Sequence, residues 1–414
     1  MTGHLPCGEP LRYGQFFTWT LVVLAVLSLF AWGSNHLRNQ SITSRGKGNA
    51  TTNTRLVFRN EVSPMNPTLA EAHPERGLAA RWLTGLGLAL VWFVVAVLSL
   101  WAMAALYIDV RLSPLGVPLT LLYAVVLVVI LVRYKLHLRS ALLCVGCFCL
   151  VLAWWLNLKP TNIGDWQPDV DRPAWVDIDG DRMVIHNLRN CDYRTETDYS
   201  NCWSDRTVNL SDLRGVDLFF TTWGVRWIGH PIVSFQFGDN QHVAFSIEAR
   251  YKGSQAYSAI LGFFRQYELI FVVADERDVI RLRTNFRKDE EVFLYRTRLD
   301  RESARAIFLT YIRYLNQLKD HPEWYNALTR NCTTTLDKPI SKEVANPQPW
   351  NYQFLVNGTL DELLYDRGRL VTDGLTFKEL KARAHINATA KAADNSPDFS
   401  AIIRANRPGF EDQK

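Results

Sequence analysis

Cys332 stands in the run Trp324-Tyr-Asn-Ala-Leu-Thr-Arg-Asn-Cys-Thr-Thr-Thr-Leu336, where Asn331 has the side chain of a helix N-cap. That spacing places Cys332 in the first turn of a helix. Unpaired backbone amides and the positive end of the helix dipole there favour a thiolate and lower the thiol pKa, and the same amides can hold an oxyanion. A cysteine nucleophile further needs a histidine to manage its proton. On these residues alone an inert buried thiol stays open as the other reading.

The histidine candidate opens a strand. In His230-Pro-Ile-Val-Ser-Phe-Gln-Phe237 the two-residue period sets Val233, Phe235 and Phe237 on one face and His230, Ser234 and Gln236 on the other. His242-Val-Ala-Phe-Ser-Ile-Glu-Ala-Arg250 repeats the alternation, with Val243, Phe245 and Ile247 apolar and His242, Ser246, Glu248 and Arg250 polar. Gly238-Asp239-Asn240 supplies the turn. Pairing must keep like faces together, so a two-residue loop fails, because it sets His230 opposite Ala249. A three-residue loop, 238 to 240, sets His230 opposite Glu248 and diagonal to Ser246. His242 falls beside the turn, about 20 Å along the strand from His230 at about 3.3 Å per residue, and is expected to be solvated there.

The elements around this hairpin read as a soluble α+β domain over residues 159–414. Trp166–Val176 is an extended lead-in and Met183–Leu188 a strand. Tyr257–Tyr267 has helical apolar spacing, and Glu268–Ala274 is a buried strand. Arg281–Phe286 and Val292–Tyr295 are further expected strands, followed by an amphipathic helix from Arg301 to Leu318. Asp275-Glu-Arg-Asp278 has interposed charge and no histidine, so it reads as a solvated turn or an internal salt-bridge knot rather than a metal site. Cys191 and Cys202, eleven apart, are expected to form a disulfide if the domain lies in an oxidising compartment. Phe377–Ala384 is a short basic amphipathic helix that either lies on a membrane surface or covers the core.

Residues 1–158 carry four apolar stretches of bilayer-spanning length, about 16–33, 86–107, 116–132 and 141–158. Arg81, Trp82, Trp101, Trp154 and Trp155 sit at their ends as interfacial anchors. The first stretch has only Arg12 before it, and is read as a retained helix rather than a signal peptide. The loop Ser34–Arg81 carries seven Lys or Arg residues and Arg133–Arg139 three, against Arg111 alone between the second and third helices. The positive-inside rule then puts the rich loops in the cytoplasm and everything after Leu158 outside. Cys144, Cys147 and Cys149 inside the fourth stretch are small packing residues, not a metal motif. With a net charge of +5 and 21% charged residues, nucleic acid is not an expected partner. No phosphate-binding glycine loop, flavin motif or metal set is visible, so no cofactor is expected.

From about Gly215 to Phe410 the chain resembles the Lnb-type periplasmic domain, a family named from a lipoprotein N-acyltransferase. The matching residues are Gly229-His230-Pro-Ile-Val-Ser-Phe, Ser246-Ile-Glu-Ala-Arg250, Phe264-Arg-Gln-Tyr-Glu268, Ala274-Asp-Glu-Arg-Asp278, Trp324-Tyr-Asn326 and Asn331-Cys-Thr-Thr334. The order of a His strand first and an Asn-Cys helix later is also similar to the circularly permuted papain-like enzymes such as lecithin:retinol acyltransferase. The resemblance implies Cys332 as nucleophile and His230 as general base and acid. Strand register nominates Glu248 as the group that orients the imidazole, with Ser246 as the alternative and Asn331 in support. Enzymes of the lecithin:retinol acyltransferase type carry a second His twelve residues after the first; His242 has that spacing, but the hairpin turn is placed differently.

The function this implies is a membrane-anchored periplasmic acyltransferase of a bacterial inner membrane. It would work through a Cys332 thioester, with a phospholipid donor and a lipoprotein amino terminus or other amine as acceptor. A cell-wall or peptide amidase of the same fold is the enzymatic alternative, and a non-catalytic envelope structural protein the other.

Overall fold

The computed structural model describes residues 74–110, 114–200, 203–335, 357–394 and 396–410. The apolar stretch 16–33 and Cys202 lie outside them, and with Cys202 the expected disulfide. Two compact units divide the chain, Met1–Leu83 and Thr84–Lys414, and of the first only the start of one helix is described.

Among the described residues three helices are long and apolar enough to cross a membrane: α1 (Pro74–Asp109, apolar from Gly85), α2 (Gly116–Tyr134) and α3 (Leu138–Leu156). Their side chains are largely Leu and Val left exposed to the surroundings, the pattern of helices solvated by lipid. Small residues, Ala102, Ala105, Ala141 and Cys144, are among those buried where the helices meet, with Val95, Tyr123 and Val151.

The rest of the second unit is built on an eight-stranded sheet of order β1-β2-β9-β8-β7-β6-β10, with β5 also paired to β2. These are β1 (Trp175–Asp179), β2 (Arg182–Arg189), β5 (Trp203–Asn209), β6 (Leu213–Thr222), β7 (Gly229–Phe237), β8 (Gln241–Arg250), β9 (Glu268–Ala274) and β10 (Glu291–Arg296). A separate small ribbon pairs β3 (Asp192–Tyr193) with β4 (Tyr199–Ser200). Neighbours are antiparallel, save a single parallel pairing of β2 with β9.

Helices cover both faces. On one, Phe235, Phe237, Phe245 and Phe271 pack against Phe308, Tyr311 and Leu315 of α5 (Arg301–Asp320). On the other, Phe219, Ile232, Ala244 and Val272 pack against α4 (Glu276–Arg281), α8 (Asn387–Ala392) and α9 (Phe399–Arg404). The expected amphipathic strands are therefore not half-solvated. Their polar row (Ser234, Gln236, His242, Ser246) is buried under the C-terminal helices, and a polar row so placed must find partners inside the protein.

Two expected elements differ. Arg281–Phe286 is helical, the end of α4 running into a π turn over Leu282–Phe286. Asp275 caps this helix, its side chain accepting from the Arg277 amide at 3.0 Å, and acidic Glu276 and Asp278 sit in the first turn. Tyr257–Tyr267 forms only a short 3₁₀ turn at Leu261–Phe263. Its apolar residues serve separate neighbours, Phe264 the membrane helices and Tyr267 the sheet core, and one helix face could not reach both. The C-terminal α6 (Leu360–Asp366) and α7 (Phe377–Ala384) cover β6 and β10, with Leu380 and Ala384 buried, so the basic helix covers the core.

The link between membrane helices and sheet domain is specific. Asp109, at the end of α1, accepts from the Arg265 amide (3.1 Å), the Gln266 side chain (2.6 Å) and Trp155 Nε1 (2.7 Å). The Arg265 guanidinium lies over the Trp155 ring at 4.2 Å and donates to the Leu158 carbonyl. The far ends of α1 and α3 thus meet on the same side, against the domain, as an alternating path across a membrane requires.

Candidate active site

The hairpin register carries the site. The ladder from Ile232↔Ser246 to Phe237↔Gln241 leaves residues 238–240 as the loop, and the same offset sets His230 level with Glu248. On the shared face His230 Nε2 lies 2.8 Å from Ser246 Oγ, and Ser246 Oγ donates to Glu248 Oε1 at 2.6 Å. Glu248 is 3.8 Å from His230 Nε2, so the serine hydroxyl stands between them. A hydroxyl has one proton. With it given to the carboxylate, Ser246 can only accept from the imidazole. The arrangement therefore assigns the proton to Nε2 and leaves the lone pair on Nδ1.

Arg283, which the strand reading of Arg281–Phe286 gave no role, holds the other end. It donates to Glu248 at 2.9 Å and to Glu290 at 3.0 Å. The π turn rotates it inward, while Arg281 two residues earlier pairs with Asp192 and Asp394 near the surface. Burial opposes ionisation of Glu248, but Arg283 beside it, helped by His230 and Arg287, overrides burial and holds the carboxyl below its ordinary range. Burial, reinforced by Arg283 and only partly opposed by Glu248, pushes the His230 imidazole down to about 3. The resting imidazole is neutral.

Cys332 opens a helical turn. Asn331 Oδ1 accepts from the amides of Thr333 and Thr334, each at 2.9 Å, and its carbonyl accepts from the Thr335 amide at 3.2 Å. Cys332 is partly exposed and packs against the core, as Ala327 does. Its thiol does not titrate low as the helix start suggests. Burial pushes it up to about 11, with Thr333, Arg283 and Asn357 pulling the other way. Charge stabilisation at a helix end is worth about 0.3–1 kcal/mol at an exposed site, too little to offset that desolvation, so the resting sulfur is protonated.

Asn357 ties the two halves together, and sequence reasoning missed it. Its Oδ1 accepts from the Gly229 amide at 2.9 Å, and its Nδ2 points at Cys332 Sγ (3.4 Å) and donates to Thr333 Oγ1 (2.7 Å). One amide side chain thus spans from the residue before His230 to the sulfur. The approach is close enough to exclude side chains: a Cβ on Gly358 would sit 2.3 Å from the Arg226 carbonyl oxygen, and one on Gly229 2.3 Å from the Phe220 ring. The Asn-Gly pair was the available signal, since it marks a tight turn. No hydrogen bond joins the His230 ring to Cys332 among the described residues.

His242 is not solvated. It is buried, with Nδ1 3.6 Å from Glu276. Glu276 belongs to a second charged cluster with Arg404, Asp217 and Arg296. Asp278 pairs with Arg189 at 2.7 Å, so the Asp275–Asp278 run forms buried ion pairs rather than a solvated turn. Among the described residues no group of His, Cys, Asp and Glu side chains could hold a metal ion.

Residues 199–358 match the family model of the Lnb N-terminal periplasmic domain, a segment that contains His230, Ser246, Glu248, Arg283 and Cys332 and ends at Gly358, just after Asn357. The match is to the family its motifs resemble, and with the apolar helices it fits a membrane protein with a periplasmic domain. Neither a curated protein nor a solved structure matches the chain.

Proposed function

We propose that this protein is a thiol-dependent acyltransferase of the bacterial inner membrane, taking an acyl group from a phospholipid onto Cys332 and passing it to an amine such as a lipoprotein amino terminus. The observation that carries the reading is the relay Glu248, Ser246, His230, which leaves Nδ1 unprotonated on the residue next to Gly229, whose amide Asn357 ties to Cys332. His230 accepts the thiol proton as sulfur attacks the ester carbonyl. The Asn357 side-chain amide and the Cys332 backbone amide would hold negative charge, first on sulfur and then on the oxyanion. The ester C–O bond breaks, His230 returns the proton to the departing lysolipid oxygen, and a thioester remains. In the second half an amine attacks the thioester and gives its proton to His230, and the C–S bond breaks to restore the thiol.

Glu248 acts through Ser246 and is a positioning residue. A strand-borne His preceding a helix-borne Cys supports a permuted papain-like arrangement. The neutral resting pair implies that charge separates only when substrate completes the site, which suits apo contacts looser than catalytic ones. Tethering by α1–α3 supports a lipid donor, since it raises the effective concentration of headgroups at the domain.

The test is transfer in vesicles containing the full chain, acyl-labelled phospholipid and an amine-terminated lipopeptide. Label is expected on the lipopeptide with the native protein and not with Cys332→Ser. Undiminished transfer by Cys332→Ser contradicts the reading, and stem-peptide cleavage of muropeptides without acyl transfer would make the protein an amidase.

A further inference from the structure

The connection between β6 and β7 is Trp223-Gly-Val-Arg-Trp-Ile228, and it leads directly into Gly229 and His230. Its four large apolar side chains all face outward, Trp227 with 64% and Ile228 with 54% of its surface exposed, and Trp223 and Val225 with them. Six consecutive residues so composed are costly to leave in water, and a contiguous exposed apolar patch marks a contact surface. Arg226 between them is exposed as well, 3.8 Å from Glu362.

The topology says what lies against this loop. Thr222 pairs with Gly229 across β6 and β7, and Arg250 pairs with Glu268 across β8 and β9. The ladders run in step from one pair to the next, so the 223–228 and 251–267 connections leave the same end of the sheet. The second connection is the one that grips the membrane helices. Phe264 is buried among side chains of α1 and α3, and Arg265 and Gln266 bind the end of α1. Just before Phe264, Ile260 and Phe263 are also exposed. Both connections thus present exposed apolar side chains at the end of the domain where α1 and α3 finish, the level at which Trp and Arg side chains settle in a bilayer interface.

We propose that Trp223, Val225, Trp227 and Ile228, with Ile260 and Phe263, form a rim that inserts into the outer leaflet around the mouth of the site, with lipid as its partner. The aromatic and aliphatic side chains bury among acyl chains, and Arg226 reaches the headgroup phosphates. His230 lies two residues beyond the inserted segment, so an acyl ester drawn out of the leaflet has only the rim to cross. The contact itself stands on exposure and topology and does not depend on the chemistry proposed for Cys332.

The experiment places the photo-crosslinker p-benzoylphenylalanine in the full chain, in vesicles of phosphatidylethanolamine and phosphatidylglycerol. It replaces Trp227, Ile260, or, as control, Asp239 in the loop at the other end of β7. Irradiation is expected to give phospholipid adducts at positions 227 and 260 with at least about tenfold the yield at 239, in native and Cys332→Ala backgrounds alike, since a surface buried in lipid contacts acyl chains continuously. Equal yields at 227 and 239, or adducts from 227 to protein alone, would overturn the proposal. Because Cys332→Ala cannot transfer acyl groups, lipid adducts in that background keep the rim separate from the fate of the enzymatic reading. A paired Trp227→Ser, Ile228→Ser variant with unchanged thermal unfolding should lose at least half of its salt-resistant extra protection from protease in vesicles. Unchanged protection there would also count as an overturning result.

Discussion

Two clusters of similar composition meet one face of one hairpin, and they are connected differently. At its membrane end His230, Ser246, Glu248, Arg283 and Glu290 form a chain of contacts beside a partly accessible cysteine. At its turn end His242, Ser234, Glu276, Arg404, Asp217 and Arg296 form another, sealed beneath α9. In both, an arginine overrides the burial of a glutamate and keeps it ionised, and in both burial keeps a histidine neutral. What separates them is connectivity. Ser246 hands its proton to Glu248 and so aligns His230, whereas Ser234 bonds Glu276 and leaves His242 Nδ1 without a hydrogen bond. A His-Glu-Arg cluster is thus not evidence of chemistry by itself; a nucleophile and an ordered proton path are what mark one.

Arg404 sharpens the contrast most. It is fully buried and bonds both Asp217 and Glu276, at 2.7 Å and 2.6 Å. Arg404→Met strands Glu276 and leaves Asp217 to Arg296 alone, and urea unfolding should record a loss of about 3–5 kcal/mol, the scale for breaking a buried charge network. A loss under about 1 kcal/mol would mean that the turn-end cluster is not what holds α9 to the sheet. Glu248→Gln, in contrast, should lower acyl transfer about 100-fold, the low end for disabling acid–base catalysis. His242→Gln, kept folded, should leave transfer within about twofold. Reversal of these two results would exchange the roles of the clusters.

Acid should unfold the domain through both clusters. An imidazole held at about 3 when folded, as at His230, is protonated in the unfolded chain from about 6.5 downward. The unfolded state then binds more protons, and stability falls as pH drops through that window. The carboxyls of Glu248 and Glu276, held below their ordinary value of 4.5, add a further loss as pH falls beneath it. Denaturant midpoints should therefore decline from pH 7 to pH 4, and Glu248→Gln should flatten the lower part of that decline. The smallest effect concerns the sulfur. With its thiol pushed up to about 11, alkylation of Cys332 by iodoacetamide should rise steadily from pH 6 to pH 9. A plateau beginning below pH 5 would reveal a preformed thiolate.

The hairpin was legible because alternation along 230–237 and 242–250 permits only one register that keeps faces together. Three of the four expected membrane helices were legible by length, the first lying outside the described residues, and the start of the Cys332 turn by its Asn cap. What covers the polar face was not. Arg404 meets Asp217 across 187 residues of sequence, and no local pattern announces such a pairing. That is why His242 read as solvated, and why Asp275–Asp278 stayed open between a solvated turn and the salt-bridge knot that it forms. Arg283 was lost for a different reason: alternating residues in 281–286 mimic a strand, while the decisive signal, the Asp275 cap, lies before the segment. The thiol was misjudged because sequence reveals the helix start and not the burial around it.

The central claim is that Cys332 accepts an acyl group with His230 as its base. Peptide mass spectrometry of the full chain after incubation with acyl-labelled phospholipid vesicles tests it directly, comparing native protein with His230→Gln. The account predicts a hydroxylamine-labile acyl adduct on the Cys332 peptide of the native protein, reduced at least about 100-fold in the variant. An adduct of equal yield in both, or none on Cys332 while label still reaches an amine acceptor, would contradict it.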